Sequence, residues 1–181
     1  GRFSLVGVTR TLTQLFSYEA PFLLALLSPA IMARSWQISD IIAYADGRWL
    51  MFTHPISFVI ALVALMGKLE MPPFDAPEAE TEIVAGALTE YSGRGLALFK
   101  LGHGVEMVVG LGLVTALFMG GLVNPLVWIV ETLALLLVLG FVQVLMPRLR
   151  IDQTVGLWWR YGSILAIAQI IVLIVWQRII V

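Results

Sequence analysis

The chain has 181 residues, of which 60% are hydrophobic and 13% charged, with a net charge of -1 and a mean hydropathy of +0.95. That composition excludes an ordinary soluble globular domain and a general attraction to nucleic acid. The lack of any cysteine excludes a disulfide framework and an iron-sulfur cluster held by this chain.

Five apolar runs follow in order, 15–33, 49–69, 96–123, 125–146 and 161–177. Each is near the ~20 residues that cross a bilayer as a helix. A membrane strand would be about half as long and alternate in polarity, so the prediction is an all-α, polytopic membrane protein forming one domain. The sequence opens on Gly1 with no charged-then-apolar leader, and the expectation is a trimmed start.

The first run is interrupted by Glu19 and contains Pro21 and Pro29. An ionisable group inside a span costs free energy and marks an ion or proton path unless it is held as a protonated, hydrogen-bonded carboxyl between helices. The prolines imply kinks, tolerated where neighbouring helices satisfy the freed carbonyls. Between the first two runs, Trp36, Asp40, Tyr44 and Asp46 suit a polar excursion at the interface that carries no recognisable chemistry. The second run begins with Trp49 and holds His54 and Pro55.

Six of the twelve acidic residues, Glu70, Asp75, Glu78, Glu80, Glu82 and Glu90, then fall in one stretch within the segment 70–93. Each would cost roughly 2.5 to 3.5 kcal/mol at mid-bilayer, so the segment must line water, meet a partner or pass protons. Asp75 followed by Pro77 and Glu78 has the form of a helix start, with Asp75 as cap and Glu78 closing a capping box. The helix expected over 76–91 places Asp75, Glu78 and Glu82 together on one face, where like charges raise each other's proton affinity. An interfacial helix whose acids only face water is the alternative from spacing alone.

The third run carries Lys100, His103 and Glu106 toward its start. Imidazole titrates near neutrality, so His103 and Lys100 are relay candidates beside Glu106, with helix-end polar groups satisfied by neighbours as the alternative. Gly112, Ala116 and Gly120 recur every fourth residue, a pattern for close helix packing, and the short uncharged link at Gly120 and Gly121 predicts an antiparallel hairpin. Glu131 interrupts the fourth run and is a candidate for extending or rerouting the path. Trp49, Trp128, Trp158, Trp159 and Trp176 lie near predicted boundaries and read as interfacial anchors. His54 and His103 have no nearby ligand set, so no metal site is expected.

If every run spans, one side holds Arg2, Arg10, Lys68, Arg94, Lys100, Arg148, Arg150 and Arg160, and the other only Arg34, Arg48 and Arg178. The excess of basic residues marks the cytoplasmic side, which puts the acidic segment 70–93 there in a cytoplasmic membrane. No internal repeat is visible, which weighs against a free-standing transporter built from paired repeats.

Pro73-Phe74-Asp75, then Pro77-Glu78-Ala79-Glu80, Glu82-Ile83-Val84-Ala85-Gly86 and Glu90-Tyr91-Ser92-Gly93, with Ser17-Tyr18-Glu19 before them and Pro147-Arg148-Leu149-Arg150-Ile151-Asp152-Gln153 after, agree in order and spacing with a known pattern. It resembles the membrane subunit shared by respiratory complex I and the energy-converting membrane-bound nickel-iron hydrogenases. The resemblance covers nearly the whole chain and implies the C-terminal part of a longer fold. It implies that Asp75, Glu78, Glu80, Glu82 and Glu90 line the cavity where a redox module meets the membrane, and that Glu19 and Glu106 belong to a buried proton route toward antiporter-like subunits. Quinone-reducing members usually carry arginine where this chain has Met71 and Gln143, which favours the hydrogenase-type branch.

In that reading the chain performs no bond chemistry and holds no cofactor, while a nickel-iron centre and iron-sulfur clusters reside in partners. Those partners are hydrogenase-like large and small subunits, a ferredoxin-like subunit and antiporter-like membrane subunits, with lipid around them and no nucleic acid. The alternatives are a quinone-site subunit of a complex I type enzyme, with quinone above the same segment, and a free-standing ion transporter.

Overall fold

The computed structural model describes residues 2–76, 88, 91–122 and 124–180. Glu78, Glu80, Glu82 and Glu90, and the helix expected over 76–91, lie outside the described residues.

The first helix, α1 (Arg2–Ala33), starts well before the expected span at 15. Thr9, Thr11, Thr13 and Ser17 lower the hydropathy of this stretch, yet each hydroxyl donates to the carbonyl four residues back. The helix thus satisfies its own polar side chains, and it continues through Pro21 and Pro29. Arg10 is therefore a helix residue rather than part of a tail.

The polar excursion contains α2 (Ile38–Ala45). Its following turn is docked: Gly47 N donates to Gly120 O at 3.1 Å, and Asp46 Oδ1 accepts from Leu122 N at 3.1 Å. Gly121 stands so close to Asp46 Oδ1 that a Cβ there would clash, and its φ of 78° lies in the left-handed region that glycine tolerates.

The expected second span is two pieces, α3 (Leu50–Thr53) and α4 (Pro55–Lys68). Pro55 has no N–H, so the ladder stops at His54 and restarts with proline at the first helical position. With 14 residues, α4 extends about 21 Å, short of a ~30 Å hydrocarbon core. It closes at Glu70, whose φ is 48°, with Met71 N donating to Met66 O at 3.1 Å, a Schellman-type end.

Helix α5 (Gly93–Phe118) and helix α6 (Pro125–Leu145) form the predicted hairpin. A Cβ on Gly112 would come 2.8 Å from the Trp128 ring, and Trp128 Nε1 donates to Gly112 O at 3.1 Å. The packing role of Gly112 is borne out, whereas Trp128 sits between helices instead of serving only as an anchor. Asn124 caps α6 by accepting from Leu126 N at 3.0 Å.

The last span begins earlier than expected, as α7 (Ile151–Leu157), a π-helical turn over Trp158–Gly162, and α8 (Ser163–Ile180). Trp158 is 2% exposed and packs against Phe74 with ring centroids 5.7 Å apart, so it is a core residue and not an interfacial anchor. Trp49, Trp159 and Trp176 are exposed as an anchor requires.

Four helical stretches, Ser4–Ala33, Gly93–Phe118, Pro125–Leu145 and Ile151–Ile179, are long and apolar enough to cross a membrane, with Pro55–Lys68 a shorter apolar helix. Among the described residues there is no strand. The fold is an all-helical, polytopic membrane protein whose core lies where α1, α4, α5 and α8 meet.

Candidate functional site

The end of α4 assembles the polar cluster of this protein. Gln14 on α1 is 1% exposed and its amide donates twice, to Gly67 O at 3.0 Å and Phe74 O at 2.7 Å. Tyr18, one turn on, packs on Gly67, where a Cβ would stand 3.2 Å from its ring. These contacts fix α1 antiparallel to α4 and bring the next residue, Glu19, to the side of Lys68.

Lys68 Nζ lies 3.9 Å from Glu19 Oε2 and 3.4 Å from Glu106 Oε1. The two span-interrupting glutamates, 87 positions apart in sequence, thus share one ammonium. Glu106 is brought in by the close approach of α5 to α4 at Gly110, where a Cβ would meet Leu65 Cδ1 at 2.5 Å. Glu19 Oε2 is buried and has no hydrogen bond, so its stabilisation comes from the nearby charge alone. With all three groups ionised the cluster carries one net negative charge and can accept one further proton without an unbalanced positive charge. Sequence reasoning counted Lys68 only as a loop charge. Its place in the last turn of an apolar helix was the available signal.

Asp75 is held otherwise than as a helix cap in the described residues. Its Oδ1 is 3.3 Å from Arg148 Nε, an ion pair off the hydrogen-bond axis, while Arg148 Nη2 donates to Asp75 O at 3.4 Å. Leu149 N donates to Pro73 O at 3.0 Å, and Arg10 Nη1 donates to Ala76 O at 3.3 Å. The Pro147 to Gln153 motif and the Pro-Phe-Asp motif, far apart in sequence, are therefore one structural unit. Beside it a cavity of about 360 Å³ is lined by Arg10, Arg148 and Arg150 together with Asp152. Gln14, Arg10 and Arg148 were not among the predicted site residues.

His103 and Glu106 line one open groove on α5, with Phe99 and Gly102 between them, and Lys100 is exposed outside it. Glu131 is elsewhere. It is 9% exposed and lines a cavity with Trp49, Gly120 and Gly121 at the hairpin turn, about 20 Å along the helix axis from the level of Glu106. Among the described residues no group of His, Asp or Glu is arranged to hold a metal.

A family model described as NADH dehydrogenase matches residues 1–174. An NADH-quinone oxidoreductase membrane chain of Geobacter sulfurreducens, of the H type, is 39% identical over 176 residues, which cover 94% of this chain and 54% of the relative. The H-type chain of the same oxidoreductase from Carboxydothermus hydrogenoformans is 36% identical over 180 residues, 94% of this chain and 51% of that one. The chain thus spans about half the length of these relatives. Among solved structures, a chain of the membrane-bound sulfane sulfur reductase, an archaeal respiratory membrane complex, superposes with a TM-score of 0.86 at 24% identity, over 96% of this chain and 61% of that chain. That likeness establishes the fold.

Proposed function

The chain belongs to the NADH dehydrogenase family of membrane subunits, and from that premise we propose that it is the ion-coupling, arm-anchoring membrane subunit of a complex I-like redox complex. The observation that carries this reading is the Glu19–Lys68–Glu106 cluster, in which an α1 acid and an α5 acid meet one lysine beside the acidic segment. A proton reaching either carboxylate changes the charge felt by the other through Lys68, which is the coupling that an ion route needs.

In this reading the acidic segment faces the cytoplasm, where the basic side chains concentrate. The unit joining Asp75 to Arg148 is the seat of the peripheral arm. Asp75, Glu78, Glu80, Glu82 and Glu90 line the junction, and a redox event there shifts the charge balance at Lys68. Glu19 and Glu106 continue the path toward antiporter-like subunits, with His103 as a relay in the same groove as Glu106. The moved ion is a proton or sodium.

We favour the energy-converting nickel-iron hydrogenase branch because Met71 and Gln143 stand where quinone-reducing members usually carry arginine. The nickel-iron centre and iron-sulfur clusters then sit in hydrogenase-like large and small subunits and a ferredoxin-like subunit. The second reading, a quinone-site subunit, is favoured by the names of the NADH-quinone oxidoreductase relatives.

Affinity purification of the tagged chain from native membranes separates these. Co-purification with iron-sulfur proteins and a nickel signal is expected. Iron-sulfur proteins without nickel and with quinone reductase activity would favour the second reading, and isolation of the chain alone would contradict both.

A further inference from the structure

A second polar nest lies at the opposite end of α4. The register set by Tyr18 on Gly67 carries ten residues along α1 and ten back along α4, and so places Ser28 opposite Ser57. Both serines are 0% exposed and neither hydroxyl has a hydrogen-bond partner among the described residues. One turn beyond Ser57 is His54, 1% exposed, at the break between α3 and α4.

The hydrogen bonds of His54 fix its tautomer. Nδ1 lies 2.6 Å from Thr53 Oγ1 and 3.2 Å from Leu50 O. A carbonyl cannot donate, so the proton is on Nδ1 and Nε2 is a bare acceptor. Nε2 is buried without a partner, a state that costs about 1 to 3 kcal/mol unless water or a proton satisfies it.

His54 also lines a cavity of about 430 Å³ together with Thr53, Gln169 and Leu173, with Arg48 and Trp176 among its walls. Gln169 is 6% exposed and brings an amide to this otherwise apolar space. Water held there can donate to Nε2 and accept from the amide and the Thr53 hydroxyl, the two to four polar partners a buried water requires. Arg48 and Tyr44 carry the titratable side chains among the described lining residues, and α1 and α8 contribute none to the lining. Arg48 is turned onto Tyr44, its Cζ 4.5 Å from the ring centroid and its Nη1 donating to Tyr44 O at 3.0 Å. That leaves His54 as the proton acceptor.

We propose that this cavity is an aqueous inlet and that His54 is a second proton-exchange station, on the face opposite the Glu19–Lys68–Glu106 cluster. A hydronium ion in the cavity gives its proton to Nε2 and leaves water. The imidazolium is met by Leu50 O and Thr53 Oγ1 already placed at Nδ1, and the reverse step returns the proton. Ser57 and Ser28 continue the nest inward along the α1–α4 seam. The proposal rests on the coupling role argued above.

The test uses the intact complex in sealed proteoliposomes. In one arm, Gln169→Cys is exposed to a charged, membrane-impermeant thiol reagent, this chain having no cysteine of its own. Reaction from the face opposite the 70–93 segment is expected. Reaction only with a lipid-soluble maleimide would mean a lipid-filled cavity and would overturn the inlet. In the other arm, His54→Gln is expected to lower ion movement per electron by about 10²-fold, the size of a lost proton-transfer group, with complex assembly checked on native gels. Leu173→Trp, which narrows the cavity and leaves His54 in place, should slow movement in the same direction. Full ion movement in both variants would overturn the station. If instead Lys68→Gln and Glu106→Gln also retain full movement, it is the coupling reading that fails, and the Gln169→Cys arm still reports on the inlet.

Discussion

Lys68 stands between two carboxylates at 3.4 and 3.9 Å while its own side chain is 30% exposed and theirs 38%. Pairs that are this open are worth about 0 to 1 kcal/mol in stability, so the arrangement is better explained by charge coupling than by holding the fold. Lys68→Gln should therefore shift the melting temperature of the complex little. Asp75 makes a sharper distinction. Asp75→Asn removes the charge facing Arg148 and should cost no more than about 1 kcal/mol, and Arg148→Gln in the same background should add little, because the pair is lost once. Thermal unfolding of the three variants checks this. Additive losses would show that Arg148 is anchored mainly through the Asp75 and Ala76 backbone region and that the ion pair is incidental. Gln14 belongs to the opposite class. Its buried amide serves two carbonyls at 2.7 and 3.0 Å, so Gln14→Leu leaves both unsatisfied and should cost about 1 to 3 kcal/mol for each. A parental melting temperature for that variant would remove Gln14 as the tie between α1 and the Pro-Phe-Asp turn.

At the scale of elements, the α5–α6 hairpin depends on small side chains. Gly112→Leu drives a side chain into Trp128, already within 2.8 Å of the Cβ position, and overpacking of this kind costs typically about 1 to 3 kcal/mol. Proteolysis of the variant should open the hairpin first if this seam holds it. The hairpin was legible in the sequence because an apolar run, two glycines and Pro125 mark its boundaries by composition alone. The second span was not. Hydropathy reads 49–69 as continuous, since neither His54 nor Pro55 lowers a window of that length enough, whereas one missing N–H divides it into α3 and α4. The first helix was underestimated for the reverse reason: its threonines and Ser17 look like a polar tail and are satisfied within the helix. Glu19 and Glu106 were identifiable as charges inside apolar runs. Their common partner was not, because Lys68 falls where a span ends and so looks like an ordinary flanking base. The link between Asp75 and Arg148, 73 residues apart, depends on tertiary geometry that no local pattern records.

For the whole molecule, both faces carry polar machinery and α4, though only 14 residues long, reaches from one to the other. Its Lys68 end adjoins the acidic segment and its Pro55 end adjoins His54. The excess of basic residues at the Lys68 end predicts that this end is cytoplasmic. Cysteine at Ser92 should react with an impermeant reagent in inverted vesicles, and cysteine at Ser35 in right-side-out ones; the opposite pattern would invert the topology. The central claim is that Glu19, Lys68 and Glu106 couple electron transfer to ion movement without serving the electron transfer itself. The most direct measurement is the number of ions moved per electron in proteoliposomes holding the complex with Glu106→Gln, which keeps size and hydrogen bonding but cannot carry charge. The account predicts normal assembly with a ratio reduced by about tenfold or more, in keeping with the loss of a proton-transfer group, and a similar reduction in Glu19→Gln. An assembled complex that moves ions at the parental ratio in both variants would contradict it.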